Sequence, residues 1–344
     1  MSDASGLIVV DKPAGWTSHQ VVGRCRRLLG TRRVGHAGTL DPMATGVLLV
    51  GVNRATRLLG FLAGHDKTYT ATIRLGQATV TDDAEGDVTE SVGAGGISEA
   101  DVRAAVHAFT GTISQVPSAV SAIKVDGRRA YAMVRAGEEV DLKAREVTVS
   151  RFDVRAVRPV STGSTSRMVE RSTPEEPVEL HEASLVAELD EARPFVKLGE
   201  HEGELGGHPE TLDVDVAVDC SSGTYIRALA RDLGRTLGCG GHLTVLRRTR
   251  VGAFDLSLVG LDAAGLAGDT PPALISLEAV ARRAFPVVEV TTEQAIDVGY
   301  GRSLDLAVPA DPTALLHGDR LLALYRPGPE GRARPVAVLA ELVR

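Results

Sequence analysis

LDVDVAVDCSSGTYIRALARDLG, residues 212–234, is the stretch from which the fold can be read. Its first nine residues alternate apolar and polar side chains, the period of a strand with one buried face. Ser221, Ser222 and Gly223 make a turn, and beyond it the period becomes helical. Ile226, Leu229, Leu233 and Leu237 form one apolar stripe, with Arg227 and Arg231 together on the other face. A strand that runs straight into an amphipathic helix is a joint of a mixed α and β chain. The same stretch carries an electrostatic conflict. Arg227 sits in the first helical turn, where the backbone dipole disfavours a cation. A nearby anion removes the conflict, and Asp41 is the candidate.

Asp41 lies in GHAGTLDPMATG, residues 35–46, a glycine-rich turn before the apolar strand VLLVGV. Two readings of this aspartate are open. An Asp-Pro pair in a turn most often bonds its own backbone. A single carboxylate beside a buried strand can also serve as a nucleophile. Around these two stretches, LIVV (7–10) and TYTATIRLG (68–76) read as strands. TSHQVVGRCRRLLG (17–30) and ISEADVRAAVHAFTG (97–111) read as helices with Thr17 or Ser18 and Ser98 as N-caps, and Gly30 and Gly111 as stops. From residue 282 short strands and turns start a new pattern, that of a small β domain.

The 344 residues are 43% apolar, enough for one large core plus a smaller one. Cys25, Cys220 and Cys239 form no CxxC pair, which argues against a zinc site or disulfide framework and fits a reducing cytoplasm. The N-terminus has no signal-peptide pattern, and no apolar run is long enough for a membrane span. P-loop, HExxH and GxSxG patterns are absent. GHAG alone suggests a nucleotidyltransferase, but the second histidine is missing. Net charge is −7, yet residues 158–210 hold 12 acidic against 5 basic residues and account for all of it. Residues 11–36 carry Lys12 and five arginines against Asp11 alone. A local basic patch, not net charge, decides contact with nucleic acid.

The stretches GLIVVDKPAGWTSHQVV, VGHAGTLDPMATGVLLVGVNRATRLLGFL, DKTYTATIRLGQATVTDDAEGDV, QVPSAVSAIKVDGRRAYAMVRAG and CSSGTYIRALARDLG, in this order, resemble the TruB family of tRNA pseudouridine-55 synthases. The resemblance implies an α+β fold with a mixed, largely antiparallel sheet and flanking helices, followed by a small PUA-like β domain. It implies a catalytic domain over residues 1–282, with a thumb-like RNA clasp at 112–154, and an RNA-binding domain over 283–344. It implies an isomerase that flips uridine 55 out of the tRNA T-loop without metal or cofactor, working as a cytoplasmic monomer. Asp41, Tyr69 and Arg227 fall on the family's catalytic positions. Lys12, Pro13, His36, Gly38, Thr39, Leu40, Tyr225, Lys124 and Arg129 are the expected substrate-binding residues. A non-catalytic tRNA-binding protein on the same scaffold would need none of the three catalytic residues. The acidic stretch 158–210 departs from the family, and its composition is that of a surface loop. Excising it is expected to leave tRNA modification intact; a folded but inactive variant would contradict this.

Overall fold

The computed structural model describes residues 4–118, 142–160 and 210–340, together with the backbone of 124–125 and 128–129. Its centre is a mixed sheet. The main strands are β1 (Gly6–Lys12), β2 (Val34–Ala37), β3 (Thr45–Val52), β4 (Lys67–Leu75), β5 (Gly111–Gln115), β6 (Arg145–Val160), β7 (Thr211–Cys220), β8 (Gly241–Val251) and β9 (Val259–Leu261). They lie in the order β9-β1-β3-β8-β4-β7-β6-β5, with β2 also paired to β3. Only β9/β1 and β3/β8 are parallel; the other pairs on this path are antiparallel.

The apolar runs LIVV and VLLVGV have no polar face because β1 and β3 are covered on both sides. Ile8, Val10, Leu48 and Val50 enter one core with α1 (Ser18–Leu29) and α3 (Ile226–Thr236). Leu7, Val9, Val47 and Leu49 enter a second core on the opposite face. Strands buried on two faces read as continuous apolar runs. Away from them, the second face of the sheet is polar. Arg74 makes a two-pronged bond to Asp213 at 2.8 and 2.9 Å, and Arg158 pairs with Asp215 at 2.6 Å. These cross-strand pairs explain the polar half of the alternation in β4 and β7.

Capping follows the sequence closely. Thr17 and Gln20 form a capping box on α1, and Gly30 ends it in the left-handed region. Ser98 and Asp101 form such a box on α2 (Glu99–Val106), but Gly111 is not its stop: the helix ends at His107, and Gly111 opens β5. GHAG is not wholly turn: β2 includes Gly35, His36 and Ala37, and the loop proper is 38–44. The last part of the chain forms a separate four-stranded sheet from β10 (Val287–Glu289), β11 (Thr313–His317), β12 (Arg320–Pro327) and β13 (Ala333–Val338). It includes a helix that the strand-and-turn reading overlooks, α5 (Thr292–Gly299), started by a Thr291–Gln294 capping box. This sheet is packed onto the body. Leu316, Leu321 and Leu324 share the second core with Leu7, Val9 and α4 (Leu277–Ala284). Most of the acidic stretch lies outside the described residues. Its flanks are adjacent, since Val160 is paired with Thr211.

One close approach fixes how loop 38–44 enters the sheet. Gly46 has φ +99°, and a Cβ there would lie 2.1 Å from the Arg248 carbonyl oxygen. Only glycine allows β3 to pass β8 at this point. Gly46→Ala is expected to cost at least about 2 kcal/mol in stability, combining the left-handed conformation with overlap on backbone. Chemical denaturation checks this, and an unchanged midpoint would contradict the close approach.

Candidate functional site

Loop 38–44 is held from four directions. Ser18 of α1 accepts from the Leu40 amide at 3.0 Å and donates to the Leu40 carbonyl at 3.2 Å. The Gly15 amide donates to the Pro42 carbonyl at 2.9 Å. Lys12, at the end of β1, is fully buried; its ammonium donates to the carbonyls of Pro13 (3.0 Å), Trp16 (2.6 Å) and Pro42 (3.1 Å). Arg248 of β8 is the bulkiest fully buried side chain described. Its guanidinium donates to the carbonyls of Val47 at 2.8 Å, Gly38 at 2.7 Å and Thr39 at 3.5 Å. Buried cations that bind backbone carbonyls immobilise a loop otherwise short of secondary structure.

Asp41 is the half-exposed group at the tip of this loop. Its Oδ2 lies 3.1 Å from Arg227 Nε, and the Arg227 side chain is only 5% exposed. Arg227 also meets Asp83 at 3.3 Å and donates to the Thr81 carbonyl at 2.9 Å. The sequence places Arg227 on the polar side of its helix, but that side faces the acidic loop TDDAEGD (81–87), not water. Adjacent aspartates there each hold one arginine of α3: Asp83 holds Arg227, and Asp82 holds Arg231 at 3.2 Å. Asp83 is fixed in turn by the Thr81 hydroxyl at 2.5 Å and the Glu85 amide at 3.0 Å. The dipole conflict at the helix start is thus answered by two carboxylates.

Next to this pair is a cavity of about 340 Å³. Gly38, Thr39, Leu40, Asp41, Tyr69, Tyr225 and Arg227 are on its wall, as are Lys67, Leu246 and Arg248. The inward face of β4 begins with Lys67 and Tyr69 before it turns apolar at Ala71, Ile73 and Leu75. Burial raises the Tyr69 phenol above its ordinary range, outweighing the neighbouring Arg248 charge. Tyr225 is set by Gln115, whose amide bonds both its N–H (2.8 Å) and its carbonyl (3.0 Å).

Three expected substrate-binding residues are not on that wall. Lys12 and Pro13 stand behind the loop, because the Lys12 ammonium is fully committed to carbonyls. His36 is on β2, edge-on to His19 with ring centres 5.5 Å apart. Burial, then His19 and Arg248, lower its pKa, so the ring is neutral near pH 7. The side chains of Lys124 and Arg129 lie outside the described residues; their backbones pair in a short ribbon. Of the basic cluster at 11–36, Arg24 binds carbonyls at 266–268 and Asp269, and Arg26 binds the Val34 carbonyl. Arg24 is thereby committed to the body of the protein. Arg26, Arg27, Arg32 and Arg33 are exposed. Sequence reading assigns no role to Asp83, Arg248 or Lys67. The signal for Arg248 is an arginine at an inward position of a strand, in LRRTRV.

Among the described residues no group of three or more His, Cys, Asp or Glu side chains is placed to hold a metal ion. No described helix is long and apolar enough to cross a membrane.

Residues 26–170 match the family model of the TruB family pseudouridylate synthase N-terminal domain, and residues 227–264 match that of the tRNA pseudouridylate synthase B C-terminal domain. The chain is 53% identical to tRNA pseudouridine synthase B of Cutibacterium acnes, over 97% of this chain and 98% of that one. It is 48% identical to the Arthrobacter protein of the same name, over 98% and 97% of the two chains. Among solved structures it is similar to a chain of a Cbf5–Nop10–Gar1 complex, with TM-score 0.64 and 22% identity over 98% of this chain and 85% of that one. That similarity supports the mixed α+β architecture.

Lys12→Met would leave the Pro13 and Trp16 carbonyls without this donor, while the Pro42 carbonyl keeps the Gly15 amide. The expected loss is about 2 kcal/mol, at roughly 1 kcal/mol per orphaned acceptor. Chemical denaturation of the two proteins measures it, and equal midpoints would mean that the ammonium does not hold the loop.

Proposed function

The chain belongs to the TruB family of tRNA pseudouridine synthases, and from that premise we propose that it isomerises uridine 55 in the T-loop of tRNA, with Asp41 as nucleophile. The observation that carries this reading is the Asp41–Arg227 pair at the wall of a cavity whose other side is Tyr69. A base folded into a loop has to be turned out before chemistry can reach it, at a cost of a few kcal/mol. The cavity can take such a base, with the Tyr69 ring and Leu246 as apolar surfaces against it.

In this reading an Asp41 oxygen bonds to ribose C1′ as the C1′–N1 bond breaks and leaves its electron pair on uracil. The base turns, C5 takes C1′ from Asp41, and the freed carboxylate accepts the C5 proton. N1 gains a proton, so the net change is an isomerisation without a cofactor. Arg227 holds the Asp41 carboxylate in a fixed direction, with Nε 3.1 Å from Oδ2. The raised pKa of Tyr69 keeps its phenol protonated near pH 7, which suits a stacking surface better than a base.

For the remaining parts we propose residues 1–282 as the catalytic domain, 112–154 as the segment that carries a clasp on the T-arm, its two ends being strands β5 and β6 of the central sheet, and 283–344 as an RNA-binding domain. Exposed Arg302, Arg326, Arg332 and Arg334 support the last assignment, with Arg302 5.1 Å from the centre of the Tyr300 ring. RNA loops are recognised by shape, stacking and phosphate contact, which fits both assignments.

The test uses a uridine-containing tRNA transcript with no added cofactor. Wild type is expected to form pseudouridine at position 55. Asp41→Asn is expected to lose at least about 10³-fold in rate, the scale for removing a nucleophile, with tRNA affinity unchanged. Product from the variant at the wild-type rate would remove Asp41 from the chemistry.

A further inference from the structure

Two buried lysines approach the site, and they differ in how many protons they have left. An ammonium has three N–H donors. Lys12 uses all three on carbonyls, so it can only hold structure. Lys67 donates to the carbonyls of Ala63 at 2.8 Å and His65 at 2.6 Å. Among the described residues its third N–H has no partner. Lys67 is 6% exposed and, unlike Lys12, it is on the cavity wall. It precedes Tyr69 by two positions on the inward face of β4. A Cβ on Gly38 would lie 3.5 Å from Lys67 Cε, so the loop that carries Asp41 rests against its stem.

We propose that Lys67 is a further catalytic residue, whose remaining N–H donates to a uracil carbonyl oxygen and holds the negative charge of the base while it is detached from ribose. This rests on the reaction proposed above. When C1′–N1 breaks, the electron pair spreads from N1 onto O2 and O4. When C5 bonds to C1′, the pair returns to that bond. Lys67 keeps its proton throughout and takes no part in the proton balance. Its contribution is a fixed positive charge on a buried side chain, placed where negative charge develops only as the reaction proceeds. Arg248, on the same wall, spends three of its five N–H donors on the carbonyls of Gly38, Thr39 and Val47, which ties its guanidinium to the loop.

The role requires the ammonium form. Burial lowers the Lys67 pKa from 10.5 to about 8. The groups facing it are Arg248 from β8, which lowers it further, and Cys220 from β7 with Asp66 beside it, which raise it. Tyr69 and His65 complete its surroundings. Because the charged form is the lower-pH form, kcat should fall as pH rises through about 8.

The experiment measures kcat, tRNA affinity and pH profile for wild type, Lys67→Met and Lys67→Arg, with folding followed by circular dichroism. Lys67→Met is expected to lose about 10²- to 10³-fold in kcat, the scale for removing one charge-stabilising donor, with tRNA affinity unchanged. Lys67→Arg is expected to restore most of that and to move the alkaline fall upward by at least about 2 pH units, since arginine stays charged. A Lys67→Met protein with kcat within a few-fold of wild type, or one that loses tRNA affinity in place of kcat, overturns the proposal. Should Lys67→Met not fold, the comparison of wild type with Lys67→Arg decides, and identical alkaline limbs overturn it. Absence of pseudouridine from wild type itself would instead refute the reaction on which the proposal stands.

Discussion

A guanidinium taken out of water has to be met by negative charge, and the site is organised around that demand at Arg227. The side chain is nearly inaccessible, and it lies between Asp83 on one loop and Asp41 on another. Removing one member of such an arrangement leaves an uncompensated buried charge, the costly case for an ion pair. The constraint therefore acts in both directions. It fixes the start of α3 against loop 81–87, and it draws the exposed carboxylate of Asp41 to the mouth of the cavity. Asp83 is buried, held by Thr81 and Glu85 and turned to the arginine, whereas Asp41 keeps an open side toward the cavity.

Rigidity around this pair comes from buried cations bonded to carbonyls. Lys12 and Arg248 hold the two ends of loop 38–44, and Ser18 holds its middle. In the proposed reaction the site receives a base already turned out of its own structure, and such a framework suits that task. Binding such a base is uphill before chemistry begins, and a loop that also had to be ordered would add to that cost. The two-sided burial of β1 and β3 gives the framework its foundation, with the C-terminal sheet covering the face opposite α1 and α3.

Much of this was legible in the sequence. Strand alternation in β4 and β7 follows directly from one polar and one apolar face, and the caps at Thr17, Ser98 and Gly30 follow from their residue types. The anion expected near Arg227 could be named as Asp41 because a cation in a first helical turn needs one. The second anion could not be: Asp83 belongs to an acidic run that, read alone, is a solvated turn. Lys12 looked like a pocket residue, since the number of carbonyls around an ammonium depends on chain path, which local pattern does not encode. Arg248 was hidden for the same reason. The helix α5 was missed because a single short helix among strands has little periodicity to read. The shared core between the two sheets is a property of packing alone.

The central claim is that the cavity beside Asp41 and Arg227 receives the target base. A crystal structure of the Asp41→Asn protein with uridine-containing tRNA tests it most directly. The account predicts the uracil of nucleotide 55 turned out of the T-loop, resting on Tyr69, with its ribose C1′ next to residue 41. Nucleotide 55 still stacked within the loop, or held elsewhere on the protein with the cavity empty, would contradict it.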